Sequence, residues 1–326
     1  MKALVCRALS DDIGTLAIED VALPPPAPGE ARVRIHVAAV NFPDILMVQG
    51  KYQHKPPLPF VPGMEAAGEV IALGDGVTEV KRGDRVVAGL GTGGFAEEAN
   101  VSGDRLRPLP GALDFAEAAG FTASYLTAYV ALVRRAALRA GETLLVLGAA
   151  GGVGLAAVDF GRALGARVIA AASTEAKRAF LKDYGADHVV PAAGFRHLVK
   201  DLTRGRGADA IYDPVGGDAF DEATHCIAFD GRLLVVGFAS GRIPTVPANI
   251  PLIKGFSIMG VRAGEYGRRF PEKGAENIAA IDRLAAEGRL RPYIGARFPL
   301  SQAVEAMRVL QERKAIGKVV VTMGAA

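Results

Sequence analysis

The hydrophobic and polar residues of this chain follow two different patterns along its length. Residues 30–37 alternate between apolar and polar side chains, which is typical of a β-strand with one buried face. Short strands are also predicted at 69–73 and 85–89, whereas residues 41–63 are rich in proline and follow neither period. We therefore expect an N-terminal domain of β-barrel type with an irregular loop over 41–63.

Near residue 112 the pattern changes to helices and buried strands. Residues 113–119 and 124–137 have helical spacing, and apolar strands alternate with helices after them. The predicted strands are 143–147, 167–172, 187–190, 209–213, 231–236 and 256–261, and the predicted helices are 152–164, 175–184, 195–204, 217–228, 273–287 and 301–313. This alternation predicts an α/β fold with a doubly wound parallel sheet. A closing strand at 318–322 is expected to return to the N-terminal domain.

Composition and charge narrow the possible functions. Half of the 326 residues are hydrophobic and the net charge is +3 without a basic block, so no nucleic-acid partner is expected. No apolar run approaches the roughly 20 residues that span a bilayer, and the N-terminus lacks the features of a signal peptide. We therefore expect a cytoplasmic protein with no membrane partner. The two cysteines, Cys6 and Cys226, are too few for a disulfide framework.

The glycine-rich turn at 148–154 is the first candidate site. Its sequence is GAAGGVG, with Ala149 in place of the first glycine of the GxGxxG pattern. A strand, a glycine turn and a helix together bind a pyrophosphate, because the backbone can approach it and the helix presents unpaired N–H groups. A turn without a ligand remains the alternative. The expected cofactor-binding residues here are Ala150, Gly151, Gly152, Val153 and Gly154.

The end of the next strand favours NADPH over NADH. An acidic residue about 20 positions beyond the glycine turn would bind the ribose 2′-hydroxyl of NADH. Here Ser173 and Thr174 follow the strand, and Lys177 lies one turn later, which suits a 2′-phosphate. Glu175 argues against this interpretation, and a solvated helix face is the alternative role for Lys177.

Two later strand ends are expected to line the same crevice. Val215 follows strand 209–213, and Gly237 and Phe238 follow strand 231–236. Ligands of such sheets bind beyond the carboxyl ends of the strands. We therefore predict that these three residues bind the cofactor, although a simple turn is an equal alternative for the glycine.

Three motifs resemble the medium-chain dehydrogenase/reductase superfamily, specifically its zinc-free quinone oxidoreductase branch, the zeta-crystallin group. They are GMEAAG at 63–68, the segment 141–162 around the glycine turn, in which Asp159 replaces the usual Gln, and NFPD with GKY within 41–52. The resemblance implies a GroES-like catalytic domain over 1–120 and 266–326 and a Rossmann NADPH-binding domain over 121–265. It also implies a homodimer, for which the apolar strand 256–261 is the physical candidate.

The resemblance further implies a site without a metal. Zinc-dependent relatives carry Cys where Asn41 stands and His where Met64 stands, and neither an amide nor a thioether replaces these ligands adequately. Glu65 is expected to be a hydrogen-bonded structural acid. Asn41 would offer its amide to the cofactor or the substrate oxygen, and Tyr52 would lend a phenol proton, unless Tyr52 is only a packing residue. Cofactor contacts are also implied for Thr127, Arg313 and Lys318.

A nicotinamide without a metal can still reduce an acceptor that is already electrophilic. The expected function is NADPH-dependent reduction of a quinone. One alternative in the same fold is NADPH-dependent reduction of the carbon–carbon double bond of an enone, an enal or an enoyl thioester. An alternative of another class is an NADPH-binding structural or regulatory protein with little turnover.

Overall fold

The computed structural model describes residues 1–111 and 113–324, which divide into two compact units. Unit 1 contains Met1–Thr122 and the chain from Arg291 onward, and unit 2 is Ala123–Leu290. The second boundary therefore falls at Leu290 and not at the expected residue 265. Each unit has a β-sheet and a hydrophobic core of its own.

The described residues form fifteen strands and ten α-helices. The strands are β1 (Lys2–Val5), β2 (Ala17–Asp20), β3 (Glu30–Ala39), β4 (Glu65–Leu73), β5 (Arg85–Gly89), β6 (Glu98–Ser102), β7 (Leu106–Pro108), β8 (Thr143–Val146), β9 (Arg167–Ala172), β10 (His188–Pro191), β11 (Ala208–Asp213), β12 (Ile227–Val235), β13 (Ser257–Gly260), β14 (Ile294–Pro299) and β15 (Lys318–Thr322). The helices are α1 (Phe42–Val48), α2 (Phe115–Tyr129), α3 (Gly152–Ala163), α4 (Glu175–Tyr184), α5 (Phe195–Leu202), α6 (Gly217–Ala223), α7 (Asn249–Lys254), α8 (Ala263–Arg269), α9 (Pro271–Ala286) and α10 (Ala303–Gln311).

Unit 1 is built on a seven-stranded sheet. Its strand order is β14-β15-β3-β4-β5-β7, and β6 also pairs with β3. The apolar positions of β3, such as Val33 and Ile35, face the core, as their alternation predicts. Strand β15 pairs antiparallel with β3, Val321 opposite Ala38, so the closing strand does return to the N-terminal domain.

The proline-rich segment 41–63 is not irregular throughout, because it begins with helix α1. Pro43 lies in the first turn of α1, where the missing N–H costs nothing. The carboxylate of Asp44 accepts a hydrogen bond from the Asn41 N–H at 2.8 Å and so stabilises the start of the helix. Ile45 and Val48 are buried in the core of unit 1, which explains why this short helix is stable.

Unit 2 contains a six-stranded parallel sheet with the order β10-β9-β8-β11-β12-β13. Numbered within the unit this is the order 3-2-1-4-5-6 of dinucleotide-binding Rossmann folds. The doubly wound prediction is confirmed, and the turn at 148–154 follows the first strand at the point where the strand order reverses. Strand β13 lies at the edge of the sheet, as expected.

The two helices predicted at 113–119 and 124–137 are one continuous helix. Helix α2 runs on into a π-helical segment, Val130–Arg135. Arg134 in this segment donates to Asn277 Oδ1 at 2.7 Å and to Glu276 Oε2 at 2.6 Å, both in α9. Ile281 of α9 is fully buried. These contacts explain why α9 belongs to unit 2 and why the second boundary lies later in the chain than expected.

Candidate active site

The glycine turn joins β8 to the start of α3. A Cβ atom on Gly154 would lie 2.4 Å from the Gly148 carbonyl oxygen, so turn and helix pack too closely for a side chain. Gly151 is the N-cap of α3 and has no side chain to bond the N–H groups of the first helical turn. A Cβ on Gly151 would have only the Gly148 oxygen nearby, at 3.6 Å. Uncapped N–H groups beside open space fit an anion such as a pyrophosphate.

Two of the later cofactor candidates pack against glycines on the same edge of the sheet. Val215 Cγ2 would lie 2.9 Å from a Cβ on Gly148, so Val215 contacts the glycine turn. Phe238 Cδ1 would lie at the same distance, 2.9 Å, from a Cβ on Gly216. The structure thus brings the ends of β8, β11 and β12 together, as the strand pattern predicts.

Asp213 holds this edge in place and was not singled out as a site residue from the sequence. Its Oδ1 accepts hydrogen bonds from the N–H groups of Val215 at 2.7 Å and Gly216 at 2.9 Å. Gly237 donates its N–H to the Asp213 carbonyl oxygen at 3.3 Å. Burial raises the pKa of Asp213 to about 6, against the opposing effect of the two N–H donors.

The residues expected to bind a 2′-phosphate lie at the end of β9 and in the first turn of α4. Thr174 is the N-cap of α4, and its Oγ1 accepts from the Lys177 N–H at 3.2 Å. Arg178 Nη1 donates to the carbonyl oxygens of Ala172 at 3.2 Å and Ser173 at 3.3 Å. Burial lowers the pKa of Lys177. Lys177 and Arg178 thus lie in the first turn of α4 directly after Ser173 and Thr174, and the contact with a 2′-phosphate stays a prediction.

Thr127 and Arg313 have local structural roles, and their cofactor contacts stay predictions. Thr127 Oγ1 donates to the Ala123 carbonyl oxygen at 2.7 Å within α2, which was the alternative considered for it. Arg313 follows α10 and adopts a left-handed backbone with φ of 58°. Such strain in a residue other than glycine is often found at functional sites.

A buried polar cluster, which we call the Lys318 cluster, contains Asn41, Asp44, Glu65 and Lys318 of unit 1. The Lys318 ammonium donates to Asn41 Oδ1 at 2.8 Å and to Glu65 Oε1 at 3.2 Å. Asn41 Nδ2 donates to the same Glu65 oxygen at 3.0 Å. The side chains of Lys318 and Glu65 are each only 5% exposed. The sequence predicted a hydrogen-bonded Glu65 but treated Lys318 as a cofactor ligand.

Asp44 completes the cluster below Asn41. It is fully buried, and its carboxylate accepts from the N–H groups of Asn41 at 2.8 Å and Gly63 at 3.2 Å. Burial raises the pKa of Asp44 to about 7, and the nearby Glu65 carboxylate acts in the same direction. Asp44 therefore ties α1 to the glycine that precedes β4.

The donor set of the Lys318 cluster does not fit a zinc ion. Its oxygens on Asn41 and Glu65 already accept from an ammonium group, and Met64 offers only a thioether. Among residues 1–111 and 113–324 no group of three or more His, Cys, Asp or Glu side chains could hold a metal. Tyr52 lies after α1, with its N–H on the Leu46 carbonyl oxygen at 3.2 Å and its half-buried ring against the core of unit 1. Its catalytic role stays a prediction.

Comparison with known proteins identifies the family. Residues 27–111 match the alcohol dehydrogenase GroES-like domain, and residues 152–281 match the zinc-binding dehydrogenase family. Quinone oxidoreductase-like protein 2 of Bos taurus is 40% identical over 325 residues, which cover 99% of this chain and 92% of that protein. The chain belongs to the quinone oxidoreductase branch of the medium-chain dehydrogenase/reductase superfamily.

Solved structures of quinone oxidoreductases have the same fold. The quinone oxidoreductase of Thermus thermophilus, also solved with NADPH, is 35% identical with a TM-score of 0.85, covering 99% of this chain and 100% of that one. The Escherichia coli quinone oxidoreductase complexed with NADPH is 28% identical with a TM-score of 0.90, at the same coverages of 99% and 100%. The chain is thus an oxidoreductase of this superfamily with a GroES-like and a Rossmann domain.

This member of the quinone oxidoreductase branch also has a partly buried carboxylate, Asp159, that the sequence marked only as a departure from the signature. Asp159 accepts hydrogen bonds from the phenols of Tyr125 at 2.5 Å and Tyr184 at 2.9 Å. Burial raises the pKa of Asp159 to about 6. The three side chains join α2, α3 and α4.

In the described part of the chain, no helix is both long and apolar enough to cross a membrane.

Proposed function

We propose that this protein is an NADPH-dependent quinone reductase that transfers a hydride without a metal. The Lys318 cluster carries the proposal, because the oxygens of Asn41 and Glu65 already accept from a buried ammonium group, a donor set that does not fit zinc. A quinone is electrophilic by itself and accepts a hydride without a metal. The NADPH complexes of the related quinone oxidoreductases support the choice of cofactor.

The residues of each unit suggest the part that they play. Bound NADPH would supply the hydride. The N–H groups at the start of α3 would bind its pyrophosphate, and Ser173, Thr174 and Lys177 its 2′-phosphate. The Tyr52 phenol would donate a hydrogen bond and then a proton to the oxyanion left on the reduced acceptor. Loss of one such donor typically costs about 10²- to 10³-fold in rate.

Anaerobic oxidation of NADPH tests the proposal directly. We expect turnover with ortho- or para-quinones, a rate with NADH at least about tenfold lower in kcat/KM, and a large loss of kcat in Tyr52→Phe. The panel includes enones, enals and enoyl thioesters. Turnover of these alone would favour the double-bond reductase, and NADPH binding without any turnover would favour a structural or regulatory role. Equal use of NADH would contradict the assignment of Ser173 and Lys177.

We also propose a homodimer formed through β13. This strand is at the sheet edge, where its backbone groups have no second partner strand in the described chain. Large apolar side chains near it in sequence are unusually exposed, namely Leu252 at 81% and Ile253 at 73%. An exposed apolar sheet edge pairs readily, and pairing with its own copy gives a closed two-fold dimer. The cytoplasmic location stays a prediction, which fractionation of the source cell tests.

A further inference from the structure

The carboxamide of Asn41 is held by bonds at both of its ends. Its Nδ2 donates to Glu65 Oε1 at 3.0 Å and to the Ala39 carbonyl oxygen at 3.4 Å, and its Oδ1 accepts from Lys318 Nζ at 2.8 Å. An amide has two donor hydrogens and an acceptor oxygen with two lone pairs. Both hydrogens are therefore directed at the protein. Lys318 is the side chain that donates to Oδ1 among the described residues. The Asp44 N–H faces the same amide in the capping box of α1, but its hydrogen bond goes to the Asn41 main-chain oxygen at 3.0 Å. One lone pair of Oδ1 therefore remains for a ligand.

The two charged neighbours permit only this orientation of the amide. If the carboxamide rotated by 180° about its terminal bond, its NH2 group would face the Lys318 ammonium and its oxygen would face the Glu65 carboxylate. Both charged side chains are 5% exposed, so water cannot compensate for these like-to-like contacts. The oxygen and the NH2 group of an amide are nearly equal in size, so packing alone does not distinguish the two orientations. The Lys318–Glu65 ion pair therefore determines which orientation the carboxamide adopts.

We propose that Lys318 and Glu65 are positioning residues that hold the Asn41 carboxamide with its oxygen as the group offered to a ligand. The proposal rests on the proposed function only for the identity of that ligand, NADPH. Asn41 then accepts a hydrogen bond from a hydroxyl or an amide N–H of the nicotinamide half of the cofactor. It does not donate to the oxyanion of the substrate, which leaves the phenol of Tyr52 for that task.

The orientation itself can be measured without substrate or cofactor. In ¹⁵N-labelled protein, we expect the side-chain NH2 hydrogens of Asn41 to exchange slowly with water. Lys318→Met should accelerate their exchange about three- to tenfold, because Oδ1 loses its donor and only the bonds of Nδ2 to Glu65 and Ala39 still hold the amide. Lys2→Met is the matched control, since it removes a lysine from an exposed ion pair with Asp20. Unchanged protection in Lys318→Met would overturn the proposal.

Removing Lys318 alone leaves the Glu65 carboxylate buried without its cation, which can prevent folding. The double variant Lys318→Met/Glu65→Gln removes both charges together and keeps the size of both side chains. Glu65→Gln alone retains the lysine and an acceptor oxygen beside Nδ2. We expect fast exchange of the Asn41 hydrogens in the double variant and intermediate exchange in Glu65→Gln. Wild-type exchange in the folded double variant would also refute the positioning role.

Ligand binding separates positioning from a general loss of structure. In the double variant we expect the Kd for NADPH to rise about three- to tenfold, which corresponds to one lost hydrogen bond. The Kd for adenosine 2′,5′-bisphosphate, which lacks the nicotinamide half, should stay within about twofold. An equal rise for both ligands, or a rise for neither, would overturn the proposal. If the wild type binds no NADPH, the proposed function fails, while the exchange experiment still decides whether the amide is held.

Discussion

Replacing Gly154 or Gly151 by alanine should separate packing from ligand binding in the glycine turn. A Cβ at 154 would lie 2.4 Å from the Gly148 oxygen and 2.7 Å from the Ala149 Cα, whereas ordinary contacts begin near 3.4 Å. The turn and the helix must therefore move apart by about 1 Å, and such overpacking costs about 1–3 kcal/mol. Alanine regains about 1 kcal/mol of helix propensity. The net loss is then about 0–2 kcal/mol, and we expect a Tm lower by up to about 8 °C.

Gly151→Ala should have the opposite effect, because it should weaken NADPH binding and leave the stability of the fold nearly unchanged. The backbone of Gly151 has φ −80° and ψ 169°, which alanine adopts without strain. Its Cβ would lie 3.6 Å from the nearest atom, so the fold has room for it. The same methyl group would stand where the pyrophosphate approaches the backbone. We expect a Tm within about 2 °C of the wild type and a Kd for NADPH at least about tenfold higher.

Differential scanning fluorimetry gives the Tm, and quenching or enhancement of NADPH fluorescence gives the Kd. Gly264→Ala in α8 is the matched control, because the nearest atom to its Cβ is Arg268 Nη1 at 3.9 Å. It should leave the Kd for NADPH unchanged and, without a clash to oppose the gain in helix propensity, raise the Tm by about 2–4 °C. Wild-type affinity in Gly151→Ala would refute the assignment of this turn to phosphate binding. A rise in Tm for Gly154→Ala, as expected for Gly264→Ala, would refute the packing argument.

Three further outcomes are expected. The pKa of Asp159 is about 6 in the folded state and about 3.8 in the unfolded state. Between these two pH values the folded state binds a proton that the unfolded state does not bind. The free energy of unfolding therefore falls as the pH rises from about 4 to about 6, by an amount of order 3 kcal/mol. Asp159→Asn should flatten the dependence of Tm on pH between about 4 and 6, and parallel curves would contradict this. Lys177→Ala should raise the Kd for NADPH about 10- to 100-fold and leave NADH unchanged, with Lys182→Ala as the control on the same helix; an equal effect on both cofactors would exclude a 2′-phosphate contact. If the proposed β13 dimer forms, Ile258→Lys should be a monomer in light scattering, whereas Leu9→Lys in unit 1 should still be a dimer; a dimeric Ile258→Lys would place the interface elsewhere.

The sequence predicted the unit 2 sheet well because each strand there is a local signal. Buried strands of a parallel sheet are continuous apolar runs, and glycine turns or helix caps such as Thr174 separate them from the helices. The error at 41–63 has an equally local cause. The many prolines of this segment led to the prediction of an irregular loop, so the apolar residues of α1 were not recognised as a helix. Pro43 is in fact favourable at the start of a helix.

The candidate site was harder to predict because its contacts are remote in sequence. Lys318 and Glu65 are 253 residues apart, and Lys318 and Asn41 are 277 apart. A lysine at the start of an apolar strand gives no sign that it is buried, so the sequence suggested a surface charge or a cofactor ligand. Asp159 could be recognised as unusual, but only the structure shows the two phenols that bind it.

The division of unit 1 into two stretches of chain has a consequence for protein synthesis. A ribosome releases Asn41 and Glu65 early, but Lys318 follows only after the whole of unit 2 has been made. Until β15 arrives, β3 lacks the second of its two partner strands at Val37–Ala39, and the Glu65 carboxylate lacks its cation. Unit 2 is continuous and can fold first. The sheet of unit 2 can therefore form on the nascent chain before Lys318 reaches Asn41 and Glu65, so the Lys318 cluster is among the last parts of the protein to be assembled.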